Sequence, residues 1–101
     1  MIADGSLESD RERGRLAREV LDNPIYAEAH TAIEQEVIKQ WREARNPADR
    51  EQLHQLLLMH ERAKAAMESV MRTGQLAEAE LQRKTSRAEQ IGQVLNRRFA
   101  A

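Results

Sequence analysis

The feature that most limits the fold is a seven-residue repeat of apolar positions in the second half of this 101-residue chain. Apolar residues spaced alternately three and four positions apart form one face of a helix, and a sustained seven-residue repeat is typical of a coiled-coil-like seam. The first three repeats are the strongest, and the pattern weakens where Lys84 and Arg98 take core positions. The repeat places Leu53, His60, Met67, Gly74, Leu81, Ala88 and Leu95 at position a, and Leu56, Ala63, Val70, Ala77, Lys84, Ile91 and Arg98 at position d.

The composition points to the same class of fold. Charged residues make up 33% of the chain, aromatic residues 3%, and there are only 4 glycines and 2 prolines. A chain rich in Ala, Glu, Leu, Gln and Arg and poor in β-branched and turn residues favours long helices. This excludes a β-sandwich, a Rossmann domain and a TIM barrel. We predict an all-α chain: an antiparallel helical hairpin with an N-terminal helix, a C-terminal helical tail and coiled-coil-like packing.

Two Asn-Pro pairs mark the starts of helices. Asn23 precedes Pro24, and Asn46 precedes Pro47. Asparagine is a good N-cap, and proline is favoured at the first helical position. The sequence therefore predicts one helix over about 24–45 and another that begins at Pro47. Because the link between them is very short, the two helices should fold back on each other as an antiparallel hairpin.

Gly74 leaves two interpretations of the long repeat open. A glycine just past the last turn commonly ends a helix, yet the repeat keeps its phase through this position. Either the helix ends at Gly74 and another begins near Gln75, or a single helix runs from 48 to about 97. We favour a break or bend at Gly74. The predicted units are a charged N-terminal helix in 1–23, the hairpin core in 24–74 and a basic helical tail in 75–101.

No catalytic or metal-binding motif is recognisable in the sequence. The chain has no cysteine, no glycine-rich phosphate loop and no serine suitably placed beside a histidine. Its three histidines form no His-x-x-x-His motif, and the paired Glu-x-x-His motifs of a di-iron bundle are absent. We therefore predict a protein that is not an enzyme, with no cofactor and no metal site. His60, on the apolar seam, is interpreted as a hydrogen-bonded core histidine, with a pH switch or a metal ligand as alternatives.

The apolar stripe of the hairpin indicates self-association. A chain of this length supplies only a marginal core, and its apolar stripe is wider than a single seam needs. Large exposed apolar patches usually mark association, so we expect a homo-oligomer. The aromatic residues on the stripe either anchor the hairpin core or form an interface hot spot. The residues assigned to the core or the oligomer interface are Tyr26, Ile33, Val37, Trp41, Leu53, Leu57 and Met67.

Charge is distributed unevenly along the chain. Residues 1–46 carry ten acidic and seven basic residues, a net −3, whereas residues 75–101 carry three and five, a net +2. The overall net charge of −1 is not that of a dedicated nucleic-acid binder. The basic tail is either a solvated helical face or a contact for DNA phosphates or an acidic partner. The candidate contact residues are Arg83, Lys84, Arg87, Arg97 and Arg98.

Neither a leader nor a membrane segment is expected. Residues 1–4 show no basic region followed by an apolar one, as a signal peptide would. The longest strictly apolar run, Leu56–Met59, is far shorter than the roughly 18 residues of a membrane span. We expect a soluble intracellular protein with no membrane partner.

The order of these features resembles small all-helical proteins encoded among the head genes of tailed bacteriophages. The hairpin resembles the central oligomerisation domain of phage small terminase subunits over about residues 16–80. Residues 1–23 are too short and too acidic for the helix-turn-helix domain that those subunits typically carry. The segments that carry the resemblance are 21–26 (Leu-Asp-Asn-Pro-Ile-Tyr), Ile33-Glu34, Trp41-Arg42, the Pro47 turn, 53–67 and 73–78 (Thr-Gly-Gln-Leu-Ala-Glu).

This resemblance implies a non-enzymatic role in DNA packaging or head assembly. Small terminases form rings, recognise packaging-start DNA and regulate the large terminase ATPase. The implied partners are other copies of the chain, the large terminase, a portal or another head protein, and DNA through the C-terminal tail. The implied location is the host cytoplasm, with virion association as an alternative. The competing functions are a structural head component or capsid or portal adaptor, and a bacterial coiled-coil interaction protein.

Overall fold

The computed structural model describes residues 4–99, which form three helices joined by two short links. Helix α1 spans Asp4–Leu21, α2 spans Pro24–Glu43 and α3 spans Pro47–Phe99. Within this range there is no strand, so the predicted all-α class is confirmed.

Both predicted helix starts are confirmed, and each is fixed by local capping. The Oδ1 atom of Asn23 accepts hydrogen bonds from the backbone N–H groups of Ile25 at 2.8 Å and Tyr26 at 3.2 Å. The Oδ1 atom of Asn46 accepts from the N–H of Ala48 at 2.8 Å. These bonds satisfy donors that the first turn of a helix otherwise leaves without partners.

The predicted break at Gly74 is wrong, because α3 continues through this residue to Phe99. Gly74 is not in the left-handed conformation of a helix stop. It is buried against Gly14 of α1, and a Cβ atom added to Gly74 would lie only 2.6 Å from the Cα of Gly14. Glycine stands here because two helix backbones touch, which a residue with a side chain would prevent.

The helices α1 and α2 lie one after the other along α3, and both run antiparallel to it. Gly14 of α1 lies against Gly74, whereas His30 of α2 stacks on His60, nearer the start of α3. The molecule is therefore a rod with extents of 84 × 29 × 16 Å. Its radius of gyration is 22.8 Å, compared with about 13 Å for a compact domain of this size.

The core of this rod is thin. The buried apolar side chains are Leu7, Val37 and Ala77, while large apolar side chains remain exposed on all three helices. The accessible surface is 8155 Å². A compact monomer of 11.6 kDa would expose about 5,800 Å². A single chain thus leaves about 2,300 Å² more surface in water than a compact fold of its mass would.

The C-terminal part of α3 extends past α1. The contact of Gly14 with Gly74 sets an antiparallel register in which Asp4, the first residue of α1, lies near residue 84. Residues 85–99 therefore continue α3 beyond the start of α1, over about 22 Å of helix.

Candidate functional site

An apolar cleft lies between α2 and α3 near the hairpin turn, with a volume of about 270 Å³. We define the apolar cleft by its five apolar residues, although Arg42 and His54 also line it. The helical spacing of four puts two of these residues on one face of α2 and two on one face of α3. The structure thereby brings together four residues that the sequence assigned to the core or interface. The apolar cleft consists of Val37, Ile38, Trp41, Leu53 and Leu57.

Trp41 is held at this cleft by a basic residue from the first turn of α3. The guanidinium carbon of Arg50 lies 4.0 Å from the centre of the indole ring, which is a cation–π contact. The Nη1 atom of Arg50 also donates to the backbone oxygen of Ala44 at 3.3 Å. Trp41 is still 40% exposed, so it is not a fully buried anchor. Arg50 was not among the residues predicted from the sequence, although the hairpin turn places it opposite the last turns of α2.

The other three predicted core or interface residues lie outside the cleft. Tyr26 is half-buried, and its ring centre lies 6.0 Å from that of His30. Met67 is half-buried on α3, and Ile33 is 51% exposed. Ile33 therefore lies on the outer surface of the hairpin.

A histidine pair joins α2 to α3. The rings of His30 and His60 stack with centres 3.8 Å apart and an interplanar angle of 25°. The Nε2 atom of His60 lies 3.0 Å from the backbone oxygen of His30. Because a carbonyl oxygen only accepts, His60 donates through Nε2, in agreement with its interpretation as a hydrogen-bonded histidine.

Glu34 completes a cluster with the two histidines. His30, Glu34 and His60 are half-buried, and each offers a nitrogen or oxygen atom within 4.8 Å of the others. No single-helix motif contains this group, because His60 lies on a different helix from His30 and Glu34. The only sequence signal was the spacing of four between His30 and Glu34, which places them on the same face of α2.

The five predicted contact residues lie on the part of α3 that we call the tail, residues 82–99. Four of them are exposed, and Lys84 is half-buried. At 100° per residue, all five fall within an arc of about 140° around the helix axis, and Glu89 lies outside that arc. Arg83 is bound to Glu80 at 2.6 Å. The tail therefore carries a one-sided basic face. Its basic residues are Arg83, Lys84, Arg87, Arg97 and Arg98.

An apolar stripe overlaps this basic face. Ile91, Val94, Leu95 and Phe99 are 56%, 52%, 49% and 78% exposed. They recur at helical spacing on the segment that extends past α1. The tail therefore combines exposed apolar side chains and positive charge on overlapping faces.

The charged N-terminal helix has a different surface. Arg15 lies between Glu12 and Glu19 and bonds to both at 2.5 Å. The hydrogen bond from Arg15 holds the pKa of the Glu12 carboxyl below its ordinary value, and the same pairing raises the pKa of Arg15. Because all three side chains are more than half exposed, these ion pairs describe a solvated face and not a site.

None of the helices in residues 4–99 is both long and apolar enough to cross a membrane. The chain matches no protein-family model, no curated protein and no solved structure.

Proposed function

We propose that this chain is a non-enzymatic assembly protein that forms homo-oligomers and presents the tail to DNA or to a larger protein. The observation that carries the proposal is the excess surface of the single rod. That excess, about 2,300 Å², is of the size that obligate protein interfaces bury. A protein whose core is this thin gains stability by covering its apolar side chains with another chain.

The partner that fits this surface best is a second copy of the chain. Exposed apolar side chains occur on every helix, from Leu16 in α1 to Phe99 at the end of α3. They are therefore spread along a rod 84 Å long. A compact partner would cover only part of that length, whereas a second rod placed alongside matches it. The apolar cleft offers such a partner a recess with an almost wholly apolar lining.

Self-association is tested by sedimentation equilibrium of the wild-type chain and two variants. Leu56→Glu and Met59→Glu each place a charge at a position that is more than half exposed, so the fold of the single chain is preserved. We expect a dimer or larger species for the wild type and a lower mass for the variants. Ala65→Glu, at an exposed position of α3, adds the same charge without removing a large apolar side chain and should keep the wild-type mass. A stable wild-type monomer at micromolar concentration would contradict the proposal.

The role of the tail in this proposal is to contact phosphates. Five basic residues and one acidic residue, Glu89, give residues 82–99 a net charge of +4. Positive charge concentrated on one face of a helix suits electrostatic binding to a nucleic-acid backbone, independent of sequence. The small-terminase-like version of this role, in packaging phage DNA, is supported by the residue pattern over about 16–80. In that role the oligomer would present several tails to DNA and to the packaging motor.

A second candidate function is that of a head-protein adaptor whose tail binds a protein. It is favoured by the exposed apolar stripe Ile91, Val94, Leu95 and Phe99, which contact with phosphates alone would leave uncovered. A helix of this kind can lay its apolar face into a groove of a capsid or portal protein.

DNA binding is tested by fluorescence anisotropy with duplex DNA over a range of salt concentrations. The combined change of Arg87, Arg97 and Arg98 to Glu should weaken binding and reduce the log–log salt slope by about one for each lost phosphate contact. The matched control reverses three exposed arginines elsewhere, Arg42, Arg45 and Arg62. This control should retain most of the binding, although its net charge changes equally.

The same measurements separate the two candidate functions. If the wild-type chain does not bind DNA, the packaging version is wrong. Capture of a capsid or portal protein that is lost in Leu95→Glu/Phe99→Glu but retained in the triple arginine variant would then support the adaptor.

A further inference from the structure

We propose that His30, Glu34 and His60 bind one divalent transition-metal ion of the zinc class, which clamps α2 to α3. This site is independent of the apolar cleft and of the tail. It uses side chains from two helices whose mutual packing is otherwise thin.

The fold supplies the three ligands from two directions. His30 and Glu34 are four residues apart on α2 and therefore share a face. The antiparallel hairpin brings His60 of α3 to the same place, and the candidate ligand atoms lie within 4.8 Å of one another. Ligands at about 2.0–2.2 Å from one zinc ion lie closer together than this, and the nitrogen lone pairs lie in the ring planes. Binding therefore requires the stacked His30 and His60 rings to rotate until both nitrogens face one point. The flexible carboxylate of Glu34 has the freedom to make that adjustment.

One ring nitrogen in this cluster has no hydrogen-bond partner among the described residues. The Nε2 atom of His30 is buried, and no hydrogen-bond partner for it occurs in residues 4–99. A buried polar atom without a partner is rare in folded proteins and costs stability. A metal ion that takes the nitrogen lone pair removes that cost.

The second histidine already has the support that metal-bound imidazoles usually have. His60 donates from Nε2 to the backbone oxygen of His30 at 3.0 Å. A histidine that ligates a metal through one nitrogen commonly donates the other N–H to a carbonyl, which fixes its tautomer. In His60 this arrangement leaves the Nδ1 lone pair available as the ligand.

The donor set selects the class of metal. Two imidazole nitrogens and one carboxylate oxygen are typical ligands of zinc, whereas calcium and magnesium take oxygen ligands. Three protein ligands leave the fourth tetrahedral position to water. Because the ligands come from both arms of the hairpin, bound metal should stabilise the folded chain over the unfolded one.

The test uses the full-length chain, purified without a histidine tag and treated with chelator. Zinc chloride is titrated against it by calorimetry, and thermal unfolding is followed with and without one equivalent of zinc. We expect one zinc ion per chain and an increase in the melting temperature. Cobalt in place of zinc should give the visible absorption bands of a four-coordinate site. This spectroscopic readout does not depend on stability.

Matched variants separate this site from adventitious binding. Glu34→Gln keeps the size of the side chain but removes the charged ligand, and His30→Ala removes the nitrogen that lacks a partner. Each should weaken zinc binding by about tenfold or more and abolish the cobalt bands. His54→Ala and Glu28→Gln, at exposed positions of α3 and α2, should bind as the wild type does. Circular dichroism is used to check that each variant remains helical.

Two outcomes would overturn the proposal. The first is a wild-type chain that shows neither bound zinc nor a shift in melting temperature at one equivalent. The second is a variant of Glu34 or His30 that remains folded and binds zinc as tightly as the wild type. Either result would leave the histidine pair as a packing contact only.

Discussion

The two arms that pack along α3 do so by different physical means. In the α1 half, two glycines bring the backbones into contact, and a Cβ atom on Gly14 would lie 2.6 Å from the Cα of Gly74. In the α2 half, large side chains separate the helices: the stacked His30 and His60 rings, and Trp41 with Arg50 over its ring. One half is held by close approach and the other by ring contacts.

This difference also affects the recesses between the helices. Where the two backbones touch there is no room for a side chain, and the recess of about 240 Å³ beside this contact is flanked by Arg11, Arg15 and Glu78. Side chains that hold the helices apart leave recesses, and the apolar cleft and the histidine cluster both lie in the α2 half. The α2 half therefore carries the apolar cleft and the histidine cluster, whereas the recess of the α1 half is flanked by charged side chains.

The largest expected effect comes from breaking the glycine contact. Gly74→Ala should lower the free energy of unfolding by about 2 kcal/mol, because the added Cβ must push α1 away. That loss should occur although alanine favours a helix over glycine by about 1 kcal/mol. Chemical denaturation followed by circular dichroism measures the change.

The matched control for this prediction is Gly92→Ala in the tail. A Cβ atom added at Gly92 meets nothing within 4 Å. This substitution should therefore raise the free energy of unfolding by about 0.5–1 kcal/mol. If both variants are stabilised equally, the backbone contact between α1 and α3 does not form.

An effect of similar size is expected from the ring contacts of the α2 half. Trp41→Ala should cost about 2 kcal/mol, less than the roughly 3–5 kcal/mol of a fully buried tryptophan, because 40% of Trp41 is exposed. Measuring unfolding at two protein concentrations sharpens this prediction. If a second copy covers Trp41, the cost should increase with concentration. Ile33→Ala, outside the apolar cleft, should lower the free energy of unfolding by less. An equal loss would show that Trp41 gains no extra stability from its position in the cleft.

The smallest effect concerns the solvated face of α1. Arg15→Gln should return the pKa of Glu12 toward its ordinary value, since the hydrogen bond from Arg15 is the main cause of the lowered pKa. Titration of the Glu12 carboxyl by NMR measures this shift, and Arg13→Gln is the control. An unchanged pKa in the Arg15 variant would show that the ion pair does not form in solution.

The sign of the pH dependence follows from this lowered pKa. A carboxylate with a lower pKa in the folded than in the unfolded chain stabilises the fold above its unfolded pKa. That contribution is lost as the pH falls through the folded pKa. Because Glu12 and Arg15 are exposed to solvent, we expect only a slight change in acid stability in the Arg15 variant.

Features that depend on neighbours in sequence could be predicted from the sequence alone. The starts of α2 and α3 follow from Asn23 and Asn46, whose side chains cap the next two or three residues. The helical class follows from composition and from the spacing of apolar residues. The basic face of the tail also follows from spacing, because a helix places residues three and four apart on one side.

Features that join distant residues were decided only by the tertiary structure. Gly74 had the local signature of a helix end, yet α3 continues because Gly14, sixty residues earlier in the chain, requires a position without a side chain. The cluster of His30, Glu34 and His60 exists only because the hairpin sets the register between α2 and α3. Capping and periodicity act within one or two helical turns, so neighbouring residues in the sequence determine them. Register and close approach between helices depend on the packing of the whole rod, which no single segment encodes.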